Sequence, residues 1–239
     1  MDGLKSYAMN LRTSRLVWPA HVPRWIQPTL HKVWPGTVWS MAGSSDVHLT
    51  FDDGPHSEIT PWVLDCLKDH GAKATFFVVG GLVERQPDLV RRLVAEGHGL
   101  GAHSMNHENG WKTAHDRYIH SATLSRSLVA GFLPQAMAEQ GIMFRPPYGK
   151  LTRRQAQALA PHGPLVMWDV LGGDYAGENS GHGWHHVLDR LKRHARNGSI
   201  VVLHDSPKCA HVVKRVLPSY LAWLQEQGWS SSALGSNPG

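Results

Sequence analysis

Short apolar runs alternate with amphipathic stretches from residue 46 to residue 229, and this alternation limits the possible folds more than any other feature of the chain. Residues 47–51 form a β-run. A helix follows, opened by Thr60 and Pro61, with Val63, Leu64 and Leu67 inward and Gly71 as its stop. Residues 74–79 are nearly all apolar, the pattern of a strand buried on both faces. A helix over 87–96 carries Leu89, Val90, Leu93 and Val94 on one side and ends at Gly97. Residues 99–102 read as a strand, 115–129 as a helix capped by Thr113 with Asp116 three residues on, and 142–144 as a strand running into Arg145. Thr152 and Gln155 make a capping box and open a short helix. A strand over 165–168, a helix over 184–196 and an Ile/Val strand over 199–203 come next. The last helical stretch, 212–227, is interrupted or restarted at Pro218. Strand–helix repetition predicts an α/β fold, a parallel sheet or barrel with helices outside. Chemistry in such folds gathers at the carboxyl ends of the strands.

The flanks break the pattern. In residues 1–45, Trp18, Trp25, Trp34 and Trp39 alternate with Pro19, Pro23, Pro28 and Pro35, which leaves little room for a long helix. Two readings stand for this segment. It either wraps the domain and buries its indoles, or touches a membrane interface or cell wall through Trp and flanking Arg. Residues 230–239 read as a flexible tail. The excess charge of +5 sits largely in the first part of the chain, and without a long Lys/Arg run it gives nucleic-acid binding no support. Two cysteines, Cys66 and Cys209, are too few for a disulfide framework. No window approaches the about eighteen apolar residues of a spanning helix. Lys5, Arg12 and Arg15 interrupt any secretion-signal core at the N-terminus, so neither a signal peptide nor a transmembrane helix is expected.

The reactive residues fall at predicted strand ends. Asp52 and Asp53 close the first strand before Gly54 and Pro55 force a turn. Side chains alternate along a strand, so two adjacent acids face different ways, one toward a metal and one toward substrate. His103 and His107 follow the third strand at a spacing that, on one helical turn, puts both imidazoles on one face. With a carboxylate from a neighbouring strand end they make a two-His-one-carboxylate set, which suits one divalent ion. Zinc is the first choice, and cobalt, nickel or iron fit the same donors. Such an ion acidifies bound water toward a pKa of about 7, so the second carboxylate can take its proton. Arg145, in Arg145-Pro146-Pro147-Tyr148-Gly149, is placed to hold that carboxylate through a two-pronged hydrogen bond. The stiff proline loop suits a Tyr148 N–H aimed at a developing oxyanion. His204 ends the last strand as a general-acid candidate, with Asp205 or Asp174 to orient it.

Taken together, Thr50-Phe51-Asp52-Asp53-Gly54-Pro55, His103-Ser104-Met105-Asn106-His107, Arg145-Pro146-Pro147-Tyr148-Gly149, Trp168…Asp174-Tyr175 and Leu203-His204-Asp205 resemble, in order and spacing, the polysaccharide deacetylase family. This is the NodB-homology domain, carbohydrate esterase family four. The resemblance covers residues 46–229 as a catalytic domain. It implies a distorted (β/α) barrel of seven strands and a metal-dependent hydrolase that removes N-acetyl groups from an N-acetylglucosamine glycan such as peptidoglycan or chitooligosaccharide. By motif, Asp52 resembles the catalytic base, and Asp53, His103 and His107 resemble the metal ligands. Arg145 resembles the base-orienting residue, His204 the general acid and Asp174 its charge partner. Tyr148, Pro147, Trp168 and Leu203 resemble the substrate-contacting set. The residues alone indicate only a metal-hydrolase type of site; the division between the two acids comes from the resemblance. Tyr175 stands where Trp is usual, Leu171 where a further Asp is common, and Ala102 where Asn often precedes the first His. His182, His185 and His186 match no motif and read as a solvated loop and helix start. Removal of O-acetyl esters or of a non-glycan amide is the alternative on this fold. A non-catalytic glycan binder is at odds with the intact catalytic set. An iron oxygenase is at odds with the β/α alternation, since those sites usually sit on all-β jelly rolls.

Overall fold

A computed structural model of the chain describes residues 19–176 and 183–235. The expectations placed on Lys5, Arg12, Arg15, Trp18, His182 and the last four residues lie outside the described residues. Among those described there are seven strands: β1 (Thr37–Val38), β2 (His48–Asp52), β3 (Ala74–Val78), β4 (Gly99–Ala102), β5 (Leu165–Val166), β6 (Val170–Leu171) and β7 (Ile200–His204). Five run parallel in the order β4-β3-β2-β7-β6, and β1 pairs with β5. Phe144 joins the two pieces by bridging Ala102 on one side and Leu165 on the other. His21 makes an antiparallel bridge to Val170 and covers the far edge of β6. The result is a distorted barrel.

Burial on both faces explains the near-continuous apolar runs. Every residue of β2 and β3 is buried, and Phe51 and Phe76 stack across them with ring centroids 5.1 Å apart. The helices Ile59–Asp69, Pro87–Ala95 and Ala210–Glu226 lay their apolar stripes on the outside of this wall. Thr152 and Gln155 form the predicted capping box. None of the described helices is long and apolar enough to cross a membrane.

Several local expectations change. Thr113 does not cap: the helix His115–Ala130 begins after Ala114, which leaves the Thr113 hydroxyl one position too early. Ala210–Glu226 runs unbroken through Pro218, because seven buried side chains fix its inner face and offset the missing hydrogen bond. The strand over 142–144 shrinks to the bridge at Phe144, and the strand over 165–168 stops at Val166. The tail is held in place as far as residue 235. Ser231 bridges Val47, its Oγ donates to the Lys73 carbonyl, and the Leu234 N–H donates to Thr75 Oγ1. Ala233 and Leu234 are buried at the amino end of the barrel, so apolar side chains anchor a segment whose polar composition reads as loose.

The Trp/Pro segment also enters the barrel. Trp34 and Trp39 are buried, Trp34 Nε1 donates to the Leu151 carbonyl, and the Met167 N–H donates to the Val38 carbonyl. Trp25 stays exposed. Trp39→Ala is therefore expected to cost about 3–5 kcal/mol of unfolding free energy in denaturant melts. Trp25→Ala should stay within about 0.5 kcal/mol. Equal effects would contradict this packing.

Candidate active site

One cavity of about 340 Å³ opens at the carboxyl ends of the strands. Asp52, Asp53, His103, His107, Tyr148, Trp168 and His204 all border it, so most of the residues singled out by sequence meet in one place. Asp174 lies directly behind His204.

The acidic pair reaches the cavity by a different route from simple alternation. Asp52 is the last residue of β2, and Asp53 has already left the strand with φ 78°. That left-handed turn swings the second carboxylate back, so both acids face the same space. The Gly54–Pro55 bond that follows is cis. Asp205 fills the volume beneath: a Cβ on Gly54 would collide with the Asp205 carboxylate, so only glycine fits. Thr60 donates to that same oxygen at 2.5 Å. Burial pushes the Asp205 carboxyl up to about 7, against the pull of the Thr60 hydrogen bond. Asp205 thus braces the turn and makes no hydrogen bond to the His204 ring.

His103 and His107 meet through a loop, not a helical turn. Ser104 and His107 take φ 62° and 57°, which folds the loop back on itself. The His103 Nδ1–H donates to the Arg145 carbonyl at 2.7 Å and leaves Nε2 facing the cavity. Asp53 Oδ1 lies 3.6 Å from His103 Nε2 and 3.0 Å from His107 Nε2. Burial acts to raise the Asp53 carboxyl, but the imidazoles of His107, His204 and His103 outweigh it and hold it below the usual carboxylate range. Burial pulls His103 down to about 4, so it is neutral and able to ligate at neutral pH. Asp53 Oδ1 is buried yet accepts no hydrogen bond. A buried oxygen without a donor, beside two imidazole nitrogens, fits a divalent cation.

Arg145 sits wholly inside the barrel. Its Nη1 donates to Asp52 Oδ1 at 2.7 Å and to Thr50 Oγ1 at 2.6 Å. Its Nε reaches the Val166 carbonyl at 3.2 Å and its Nη2 the Met167 carbonyl at 3.0 Å. The grip on Asp52 is therefore single, not two-pronged, because the other donors close the barrel wall. Thr50 and Asp52 share a face of β2, which is why one nitrogen reaches both. The Phe77 ring lies 4.0 Å beneath the guanidinium carbon.

His204 ends β7 in register with Asp52. Its Nδ1 lies 2.9 Å from Asp174 Oδ1, and its backbone N–H donates to Asp174 Oδ2 at 2.8 Å. Burial lowers the imidazole, but the ion pair with Asp174, helped by Asp53 and Asp52, overrides it and lifts His204 to about 9. Asp174, not Asp205, is therefore its orienting acid. Tyr175 presents its ring to His204 at 5.5 Å and keeps an aromatic wall. Tyr148, at φ 61°, sets its ring against His107 at 4.5 Å.

Two of the expected substrate contacts do not border the cavity. Leu203 faces away from it, because β-strand parity puts Val202 on the His204 side. Pro147 is buried in its loop, while its neighbour Tyr148 reaches the cavity. Sequence reasoning missed Val202, Lys150, Lys208 and Cys209, all of which line the space. Counting two back from His204 finds Val202; nothing in the sequence marks Cys209. The buried pair gives a direct test. Arg145→Leu leaves Asp52 uncompensated and should destabilise the fold by about 3–5 kcal/mol. Adding Asp52→Leu should recover much of that loss in denaturant melts, and simple additivity would contradict the pairing.

A sequence model described as polysaccharide deacetylase matches residues 41–165. The chain is 35% identical over 186 residues to the peptidoglycan-N-acetylglucosamine deacetylase PgdA of Listeria monocytogenes, which covers 77% of this chain. It spans only 36% of that relative's length. A chitooligosaccharide deacetylase of Bradyrhizobium sp. is 37% identical over 170 residues, covering 69% of this chain and 73% of the relative. The crystal structure of the Bc1960 peptidoglycan N-acetylglucosamine deacetylase superposes with a TM-score of 0.77 at 27% identity, over 90% of this chain and 96% of that one. With the five motifs at the strand ends of a distorted barrel, these matches place the chain in the polysaccharide deacetylase family.

Proposed function

We propose that this protein is a metal-dependent N-deacetylase that hydrolyses the acetamide of N-acetylglucosamine units in a glycan and releases acetate. The observation that carries this reading is the meeting of two unlike pairs, Asp52–Arg145 and Asp174–His204, on either side of Asp53, His103 and His107. The names of the two relatives and of the Bc1960 structure support the same chemistry.

Asp53, His103 and His107 would hold the divalent ion, with zinc the first choice for one carboxylate and two imidazoles. When bound, such an ion supplies an acidified water and a Lewis acid for the acetyl oxygen. The remaining work falls to the chain. Arg145 orients Asp52, so Asp52 accepts the proton of the attacking water. His204, protonated through Asp174, delivers a proton to the departing amine nitrogen. The Tyr148 N–H is the donor to the oxyanion. Trp168, Leu171, Tyr175 and Val202 wall the space for the acetyl methyl.

Two lysines at the cavity, Lys150 and Lys208, favour an anionic polymer such as peptidoglycan, whose stem peptides carry carboxylates, over neutral chitooligosaccharides. Among the described residues of the N-terminal segment, the exposed Trp25 is free to meet a cell-envelope surface. Acetate release should be measured over peptidoglycan, chitooligosaccharides and acetylated xylan, with zinc added or removed by chelation. Release from the N-acetylated glycans that chelation abolishes supports the reading, and release from xylan alone contradicts it. His204 is raised above its ordinary value, so it keeps its proton at neutral pH and loses it as pH climbs through about 9. Activity should therefore fall on that alkaline limb, and Asp174→Asn should move the limb to lower pH. An unmoved limb would show that Asp174 does not set the His204 proton.

A further inference from the structure

A second donor cluster shares the cavity with the first. Asp174, His204 and Cys209 each place one ligand atom within 4.8 Å of the others, and none of them belongs to the Asp53–His103–His107 set. Asp174 and Cys209 are both buried. Cys209 stands immediately before the helix Ala210–Glu226, makes no capping hydrogen bond and lines the cavity wall. It is a free thiol, and its sulfur accepts from Ser206 Oγ at 3.4 Å. The two clusters differ in kind. One carboxylate, one imidazole and one sulfur form a set that selects zinc and softer cations, whereas calcium and magnesium want oxygen.

We propose that Asp174, His204 and Cys209 form a second, weaker site for zinc or another thiophilic divalent cation, and that filling it blocks deacetylation by taking His204 out of proton transfer. The inhibitory half rests on the function proposed above; the site itself does not. Binding releases one proton from the Cys209 thiol and one from protonated His204, and Asp174 exchanges its hydrogen bond for a metal bond. No electrons are transferred. The site is the weaker one for two reasons. The Asp174–His204 ion pair must open, and burial, with Asp174 next, holds the Cys209 thiol up at about 12.

The metal-stripped full-length chain should be titrated with cobalt(II). The first equivalent is expected to give a spectrum without sulfur-to-metal charge transfer, since the first set carries no thiolate. The second should bring a near-ultraviolet thiolate-to-cobalt band that Cys66→Ser keeps and Cys209→Ser loses. Retention of the first equivalent by Cys209→Ser shows that this variant is folded. No second band, or a band that survives Cys209→Ser, overturns the site. In parallel, wild-type acetate release should fall by about 10²-fold between one equivalent and excess zinc, the scale of losing a general acid. Cys209→Ser should hold its one-equivalent rate in excess zinc. A cobalt band without loss of activity overturns the inhibitory half alone. A protein that binds both metals but releases no acetate at any zinc level overturns the proposed function and leaves the site standing.

Discussion

The buried ion pair between Arg145 and Asp52 holds both the barrel and its cavity together. A guanidinium with no access to water is costly unless each donor finds a partner. Here the donors reach Asp52, Thr50 and the carbonyls of Val166 and Met167, so one side chain ties β2 to the end of β5. The Arg145 carbonyl also fixes the ring of His103. Orientation of an acid, orientation of a candidate ligand and closure of the wall all pass through a single residue. That explains why the contact with Asp52 is single where the motif alone suggests a fork.

The two carboxylates on either side of the Asp53 cluster are held by different partners. Asp52 faces the guanidinium of Arg145, while Asp174 faces an imidazole that keeps its proton until pH climbs through about 9. The first pairing fixes the direction of a carboxylate, and the second keeps a proton on His204. Asp53 lies between them, held below the usual carboxylate range by the imidazoles around it.

Much of this was legible in the sequence because it depends on order and periodicity. Strands buried on both faces announce themselves as runs such as Ala74–Val78, and reactive residues placed just after such runs must share one end of a parallel barrel. What was not legible depends on backbone angles and side-chain parity. The left-handed turns at Asp53, Ser104 and His107 leave no mark in composition, since glycine is absent from all of them. Val202 rather than Leu203 borders the cavity because strand parity, which a motif does not display, puts it on the His204 side. The short β1 and the anchored Ser231–Leu234 segment are set by contacts distant in sequence, which local propensity does not carry. The pairing of Cys209 with Asp174 and His204 is of the same kind.

The central claim is a division of labour between adjacent carboxylates, with Asp53 on the cation and Asp52 on the proton. Zinc content and acetate release, measured together for Asp52→Asn and Asp53→Asn, test it most directly. Asp52→Asn should keep the zinc that Asp53, His103 and His107 hold and lose about 10²–10⁴-fold in rate, whereas Asp53→Asn should lose that metal along with activity. An Asp52→Asn protein that turns over at the normal rate, or an Asp53→Asn protein that keeps its metal while Asp52→Asn loses it, would contradict the account.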